Sequence, residues 1–446
     1  MSEYADIVVK KLSLAWFRNY VNSQIVSLFF TKNDLCITEN CKVDCDEEDS
    51  DEFTQYIYKT TVKKAKERLD AQGFSVVQFE KQFLEKKLYA LDYTEFLLHL
   101  GIDYDEHEEK IKERSDKYVS FTKWKNAVHK IISYELENGN IQPYDSDYPI
   151  RVSTECDKII YHSLKGPGNE AFYGLILEHI DIAYIYRLIL ESCDDGDEIR
   201  LDFSSLQYWD DDCITKALAA TDEVEKVLVL VEGTSDKDIL EFAMKQIYPH
   251  LYDLFYFIDF SDTNGNKREG GTSYIVKNMK TFYYSKLKAK FIAIFDNDAE
   301  GYQSWCGLMS EAKKWPEKKW PENFRILQYP DSKLFYKYPT LAPNGKVLKD
   351  DISKKACSIE LYLPDEVIQD NGEYFPIEWE ARKKIKVPDE TLIVLYQGVI
   401  SQKDEIKKKF HALRKAIGNG KKSFVVEDWG RMKQLLDTMV FAFAKD

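Results

Sequence analysis

The chain has 446 residues, 44% of them hydrophobic and 31% charged, a balance that suits folded domains with a sizeable core and excludes wholesale disorder. Lys plus Arg number 62 against 77 Asp plus Glu, so the net charge of −15 argues against a protein that coats DNA nonspecifically, though not against a local basic groove. No run approaches the roughly 18 apolar residues of a membrane span. The start MSEYADIVVKK lacks a secretory pattern, and the scattered cysteines suit a reducing cytoplasm.

In chain order, ADIVV, LSLAWF, IVSLFF and DLCIT (within 1–38) read as short strands with a turn of helix between turn signals. Residues 39–52 are acid-rich and predict a solvated loop. Cys36, Cys41 and Cys45 cluster there without a CxxC pair or a nearby His, which favours free thiols over zinc. From 53 to 140 the spacing predicts helix, beginning with FTQYIYKTTVKKAKERLDAQGF and its stop at Gly73, and continuing in YTEFLLHLGI and WKNAVHKIISYEL. The polar, proline-bearing GNIQPYDSDYP places a boundary near 150. Residues 170–193 read as an amphipathic helix and the acid-rich 191–212 as a solvated linker.

After 226 the texture changes. KVLVLVEG, LFYFIDF, AKFIAIFDND and FRILQYP are apolar, β-rich runs separated by helical stretches, the alternation of a parallel α/β sheet. Residues 366–446 read as helix and loop, with a basic run from Lys403 to Lys422. The expected division is an N-terminal α+β accessory domain (1–150), a helical connector (151–222), an α/β domain with a mainly parallel sheet (223–365) and a helical C-terminal extension (366–446).

The chemistry-bearing residues stand at strand ends. The run 227–231, VLVLV, leads directly into Glu232 and Gly233; Thr234 or Ser235 is placed to cap a helix, and Asp236 falls in its first turn. FIAIF (291–295) ends in Asp296, Asn297, Asp298, Ala299 and Glu300. Open α/β sheets bind ligands at their carboxyl edge. Alternate side chains near a strand end point the same way, so Asp296 and Asp298 can share one ion. Hard oxygen donors suit Mg²⁺ or Mn²⁺. With 77 acids in the chain an isolated EG or DxD is ordinary surface decoration. Two such motifs, each directly after an apolar strand and separated by more than the roughly 30 residues of a βαβ unit, are not.

VLVLVEGTSDKDIL followed by FIAIFDNDAEG resembles a Toprim domain, the metal-binding fold of topoisomerases, primases and OLD-type nucleases. YADIVVKK…VNSQIVSLFFTKNDLCI, AKERLDAQGF, the helix near 171–190 and SIELYL (358–363) are similar to the bacterial HEPN/Toprim-associated family. The resemblance implies a catalytic Toprim domain behind an accessory domain, acting in bacterial conflict systems such as phage defence. It implies Glu232 as general base or metal-binding acid, supported by Asp236; Asp296 and Asp298 as metal ligands; and Glu300 and Glu360 as second-metal candidates. For Glu360 a structural salt bridge is an equal reading, because a carboxylate in an apolar segment needs a partner. Asp351 falls where the family often has an acid, with Asp350 beside it leaving the register open.

Gly270 and Gly271 precede a helix and suit either a phosphate approach or a plain turn. Lys277, Lys286, Lys288 and Lys290 lie in an acid-free stretch before the aspartate strand and suit either phosphate contacts or a solvated face. No His has an Arg four to six residues upstream, which departs from the HEPN ribonuclease pattern, and lone histidines such as His179 read as core or interface residues. No P-loop is present.

The expected function is a metal-dependent phosphodiesterase cutting DNA or RNA, with a defence-operon partner protein and a homo-oligomer left open and no membrane association. A topoisomerase or primase would need a DNA-gate or zinc module that the flanks do not resemble. A non-catalytic sensor or partner-binding protein of the same fold is the alternative from another class.

Overall fold

The computed structural model describes residues 3–42, 52–90, 120–138, 180–258, 271–389 and 391–445. YTEFLLHLGI, GNIQPYDSDYP, residues 43–51 of the acid-rich loop with Cys45, His179 and Gly270 lie outside them. The chain divides into two compact units, 1–224 with 444–446, and 225–443.

The first unit is built on an antiparallel sheet with strand order β2-β1-β5-β4-β3: β1 (Tyr4–Val9), β2 (Leu12–Arg18), β3 (Leu35–Lys42), β4 (Glu52–Thr61) and β5 (Glu198–Asp202). The early strands and helix α1 (Ser23–Phe29) match the expected start. Two expectations do not hold. FTQYIYKTT is strand, not helix: its β-branched and aromatic residues favour a pleated surface, Ile57 and Tyr58 are buried in it, and helix α2 (Val62–Ala71) starts only after Thr61 accepts from Lys64 N–H. The acid-rich 191–212 is not all linker. It contains β5 (EIRLD), the middle strand, whose Ile199 and Leu201 are fully buried while the charged residues alternate to the other face. Leu201 stands opposite Ile7 on one side and Tyr58 on the other.

Helices α3 (Val76–Ala90), α4 (Phe121–Asn138) and α5 (Ile182–Leu190) complete this core, with Phe29, Leu69, Phe79, Phe121, Ile132 and Tyr186 buried among them. Helix α6 (Asp211–Leu218) closes the unit. His129 bonds Ser192 Oγ (2.6 Å), a packing role. Cys36 and Cys41 are free thiols on β3.

The second unit carries the parallel sheet, with strand order β10-β8-β6-β7: β6 (Val227–Leu230), β7 (Phe255–Ile258), β8 (Phe291–Phe295) and β10 (Phe324–Gln328). Every residue of β8 is buried, as both faces of such a strand must be. Helices α7 (Thr234–Ile247), α8 (Thr272–Tyr284) and α9 (Ala299–Ala312) make the crossovers. Because the four strands are parallel, their carboxyl ends share one edge.

A second, mixed sheet has the order β12-β11-β16-β17: β11 (Tyr338–Leu341), β12 (Val347–Asp350), β16 (Ile377–Lys386) and β17 (Leu392–Ile400). The expectation of helix and loop after 366 therefore fails over 377–400, where IEWEARKKIK and LIVLYQGVI pair as an antiparallel hairpin. Their β-branched and aromatic residues favour that pairing over a helix. Helices α10 (Asp365–Ile368), α11 (Lys403–Gly418) and α12 (Gly430–Val440) do form, with a small hairpin of β14 (Gln369–Asp370) and β15 (Glu373–Tyr374). A last pair, β9 (Asn297–Asp298) with β13 (Ala356–Cys357), ties the second half of the unit to the acidic motif.

Among the described residues no helix is long and apolar enough to cross a membrane.

Candidate active site

Glu232 leaves the end of β6 and Asp296 the end of β8, and the two strands are neighbours in the sheet. The Asp296 backbone N–H donates to Glu232 Oε1 at 3.0 Å, so the two motifs meet directly. Gly233, rather than Thr234 or Ser235, is the cap residue of α7. A Cβ on Gly233 would stand 2.9 Å from Asp236 Oδ2. Glycine thus leaves room for the Asp236 carboxylate to fold back on the backbone N–H groups of its own first turn, including those of Gly233 and Asp236.

Asp298 caps α9, accepting from Gly301 N–H (2.7 Å), and accepts from Gln397 Nε2 (2.8 Å). Gln397 also accepts the Glu300 N–H at 3.0 Å. Glu300 pairs with Lys383 (2.8 Å) on β16, and Thr272 Oγ1 lies 3.4 Å from its carboxylate. The β9–β13 pairing carries the chain from Cys357 to Glu360, which is 1% exposed. Glu360 accepts from Ser358 Oγ (2.7 Å) and forms an ion pair with Lys403 (3.0 Å), the first residue of α11.

Burial and mutual repulsion push Glu232, Asp236, Asp296 and Asp298 towards their neutral forms. Glu232 is held well above the usual carboxylate range by burial and then by the charge of Asp298, against the pull of the Asp296 N–H. Asp296 is raised well above its ordinary value by burial and by Glu232, Asp236, Asp298 and Glu360. Asp236 is pushed up to about 7 by burial and by Glu360, with Lys403 opposing. Asp298 is raised by burial, with the Gly301 N–H and Gln397 opposing. Tyr329, directly after β10, is buried; its hydroxyl has no hydrogen-bond partner, and burial together with Asp236, Asp296 and Glu232 holds it well above its ordinary value.

The residue chemistry fits a divalent cation. Asp296 Oδ1 is buried without a hydrogen-bond partner, and the surrounding donors are hard oxygens on acids that raise one another's proton affinity. Among the described residues no group of three or more His, Cys, Asp or Glu is already spaced to hold a metal, so a bound ion requires these side chains to close in.

The other expected site residues divide. Gly271 is at the acid edge: its N–H bonds Glu232 O (2.9 Å), and its φ of +86° suits glycine at the start of α8. Lys277 is exposed on α8. Lys286, Lys288 and Lys290 lie before β8, and Lys290 O accepts from Leu228 N–H at the amino ends of the strands. They therefore stand at the opposite edge of the sheet, ~20 Å of extended chain from Asp296, and do not join the acids. Asp350 accepts from Thr340 Oγ1 (2.7 Å) and Asp351 from Ser353 N–H (2.9 Å), both outside the acidic network.

Sequence reasoning missed Lys403, Gln397, Lys383, Tyr329 and Asp331. Asp331 follows the β10 run as Glu232 follows β6, and it accepts from Asn297 Nδ2 (2.7 Å); a strand-end acid was the available signal. Lys403 opens the basic run that the sequence displays. Gln397 and Lys383 carry no signal, because only the mixed sheet brings them in.

Two expected results follow from this geometry. A Cβ at Gly301 would stand 2.3 Å from Asp296 O, so Gly301→Ala must move the aspartate backbone and should cost roughly 1–3 kcal/mol, read as a lowered denaturation midpoint. Lys403→Met leaves buried Glu360 without its counter-charge and should cost about 1–3 kcal/mol. Adding Glu360→Gln should recover most of that loss, whereas additive losses in a double-mutant cycle would show that the pair is not coupled.

Residues 1–221 match the family model HEPN/Toprim N-terminal domain 1. The match supports the HEPN/Toprim-associated family and ends before Glu232 and the acidic strand ends. No curated protein and no solved structure matches the chain.

Proposed function

We propose that the second unit is a Toprim-type nuclease that hydrolyses phosphodiester bonds of DNA or RNA with Mg²⁺ or Mn²⁺, as part of a cytoplasmic bacterial anti-phage system. The observation that carries this reading is the direct contact of the Glu232 and Asp296 motifs on neighbouring parallel strands, with Asp236, Asp298 and Glu360 in the same charge network. The family match over the first unit supports the defence context, and a defence-operon partner or self-association belongs to the same proposal.

Glu232, Asp296 and Asp298 would hold the cation, with Asp236 behind them and Glu300 and Glu360 as further oxygen donors. When bound, the ion supplies charge neutralisation for a phosphate and a lowered pKa for coordinated water. In its ionised form Glu232 can accept a proton from water, and burial together with the charge of Asp298 raises its affinity for that proton. Asp296 N–H orients the Glu232 carboxylate, and Gln397 orients Asp298. Lys403 offsets the negative charge around Glu360.

Purified protein incubated with plasmid, single-stranded DNA and RNA, with Mg²⁺, Mn²⁺ or EDTA, tests the proposal. Cation-dependent cleavage is expected. Intact substrates under every condition would shift the reading to a non-catalytic nucleic-acid sensor or partner-binding component.

A further inference from the structure

We propose that the chain carries a second ligand site at the amino-terminal edge of the parallel sheet, a pocket that takes a nucleoside phosphate with its base against an aromatic wall and its phosphate against Lys286 and Lys288. The cavity there measures about 720 Å³, within the range of small-molecule sites, and its lining is mostly apolar. Tyr283 and Trp315 are stacked in it at 3.8 Å with an interplanar angle of 9°, and Trp320 meets Trp315 edge-on at 4.8 Å. These rings are held by one another, so a planar ligand would meet a wall already in place. Tyr284 stands at the pocket 62% exposed, a large aromatic left in water beside the stack.

The rim gives the sign of the ligand. Lys286 and Lys288 line the pocket, are exposed, and pair with no carboxylate among the described residues, whereas nearby Lys280 and Lys314 both pair with Glu311. Glu322 is the one acid in the lining, leaving the rim net positive. An aromatic wall with a cationic rim is complementary to a base with its phosphate. The source of that chemistry is either a free mononucleotide or a nucleotide within a single strand.

The site lies on the opposite edge from the acids, so its test is separable from the nuclease reading. The full chain in EDTA is titrated by calorimetry with AMP, with adenosine and with a short single-stranded DNA. Binding of AMP, of the oligonucleotide, or of both is expected, with adenosine weaker than AMP; AMP binding alone identifies the free nucleotide as the source, oligonucleotide binding alone the strand.

Tyr284→Ala, at an exposed position, should weaken binding roughly tenfold. Lys286→Asn with Lys288→Ala should weaken it and flatten its salt dependence. Asparagine tolerates the left-handed backbone at Lys286 (φ +54°), so the pair tests charge rather than folding. Glu232→Gln should bind as wild type does. No binding of either phosphate ligand, binding unchanged by the Tyr284 and lysine variants, or binding lost in Glu232→Gln would each overturn the proposal.

Discussion

Glu232→Gln is expected to lower nucleic-acid cleavage by at least about 10² to 10⁴-fold, the typical contribution of a general base, and by more if a cation ligand is lost with it. The substitution keeps length and an acceptor oxygen, so the Asp296 N–H retains its 3.0 Å bond and the packing of β6 beside β8 is preserved. What it removes is the negative charge and the proton affinity that burial and Asp298 confer on Glu232. Nicking of plasmid and cleavage of RNA, followed against Mn²⁺ concentration alongside an unchanged circular-dichroism spectrum, measure the effect. A folded Glu232→Gln protein that cuts at the wild-type rate would remove Glu232 from the mechanism.

Asp296→Asn with Asp298→Asn should abolish calorimetric Mn²⁺ binding while making the cation-free protein more stable at pH 8. Asn serves as well as Asp at a helix N-cap, so α9 keeps its Gly301 bond. The stability change follows from the direction of the pKa shifts. Both groups are raised in the folded state, so their favourable contribution is complete only below the unfolded value of about 3.9 and is lost as pH rises through the folded values. Asp236, at about 7, extends that window to neutrality.

Wild-type protein in EDTA should therefore melt at progressively lower temperature from pH 5 to pH 8. The double variant should lose less, and the gain at pH 8 should read as about 2–4 °C for each kcal/mol recovered. Mn²⁺ should raise the wild-type midpoint most at pH 8, where it competes with the fewest protons, and leave the variant unmoved. Unchanged Mn²⁺ binding in the folded double variant would sink the assignment of these aspartates as ligands.

The acidic edge was legible in the sequence because strand and charge adjoin there. VLVLV and FIAIF are long enough and apolar enough to be buried on both faces, and a carboxylate directly after such a run has to sit on the sheet's edge. The same local logic failed at β5. EIRLD lies among aspartates, and its Ile199 and Leu201 are too few to show a period by themselves; β1 and β4, distant in sequence, supply the partners that make it a strand. It failed again over 377–400, where β16 and β17 form a hairpin through cross-strand pairing directly before the helices that follow. The lysines before β8 are close to the aspartates along the chain, yet a strand carries its two ends to opposite edges of a sheet.

Local pattern by itself determined the strands β6 and β8, the glycine beside Glu232, and the acids Glu232, Asp236, Asp296 and Asp298, since each depends on residues within a few positions of it. Only the tertiary structure decided what surrounds them. Glu360 reaches the site through the pairing of β13 with β9, Lys403 through the placement of α11, and Gln397 through the return of β17, each by contacts spanning tens of residues or more. Such contacts form because a buried carboxylate must find donors or counter-charge once water is excluded. That requirement arises only in the folded chain and leaves no periodic trace in the sequence.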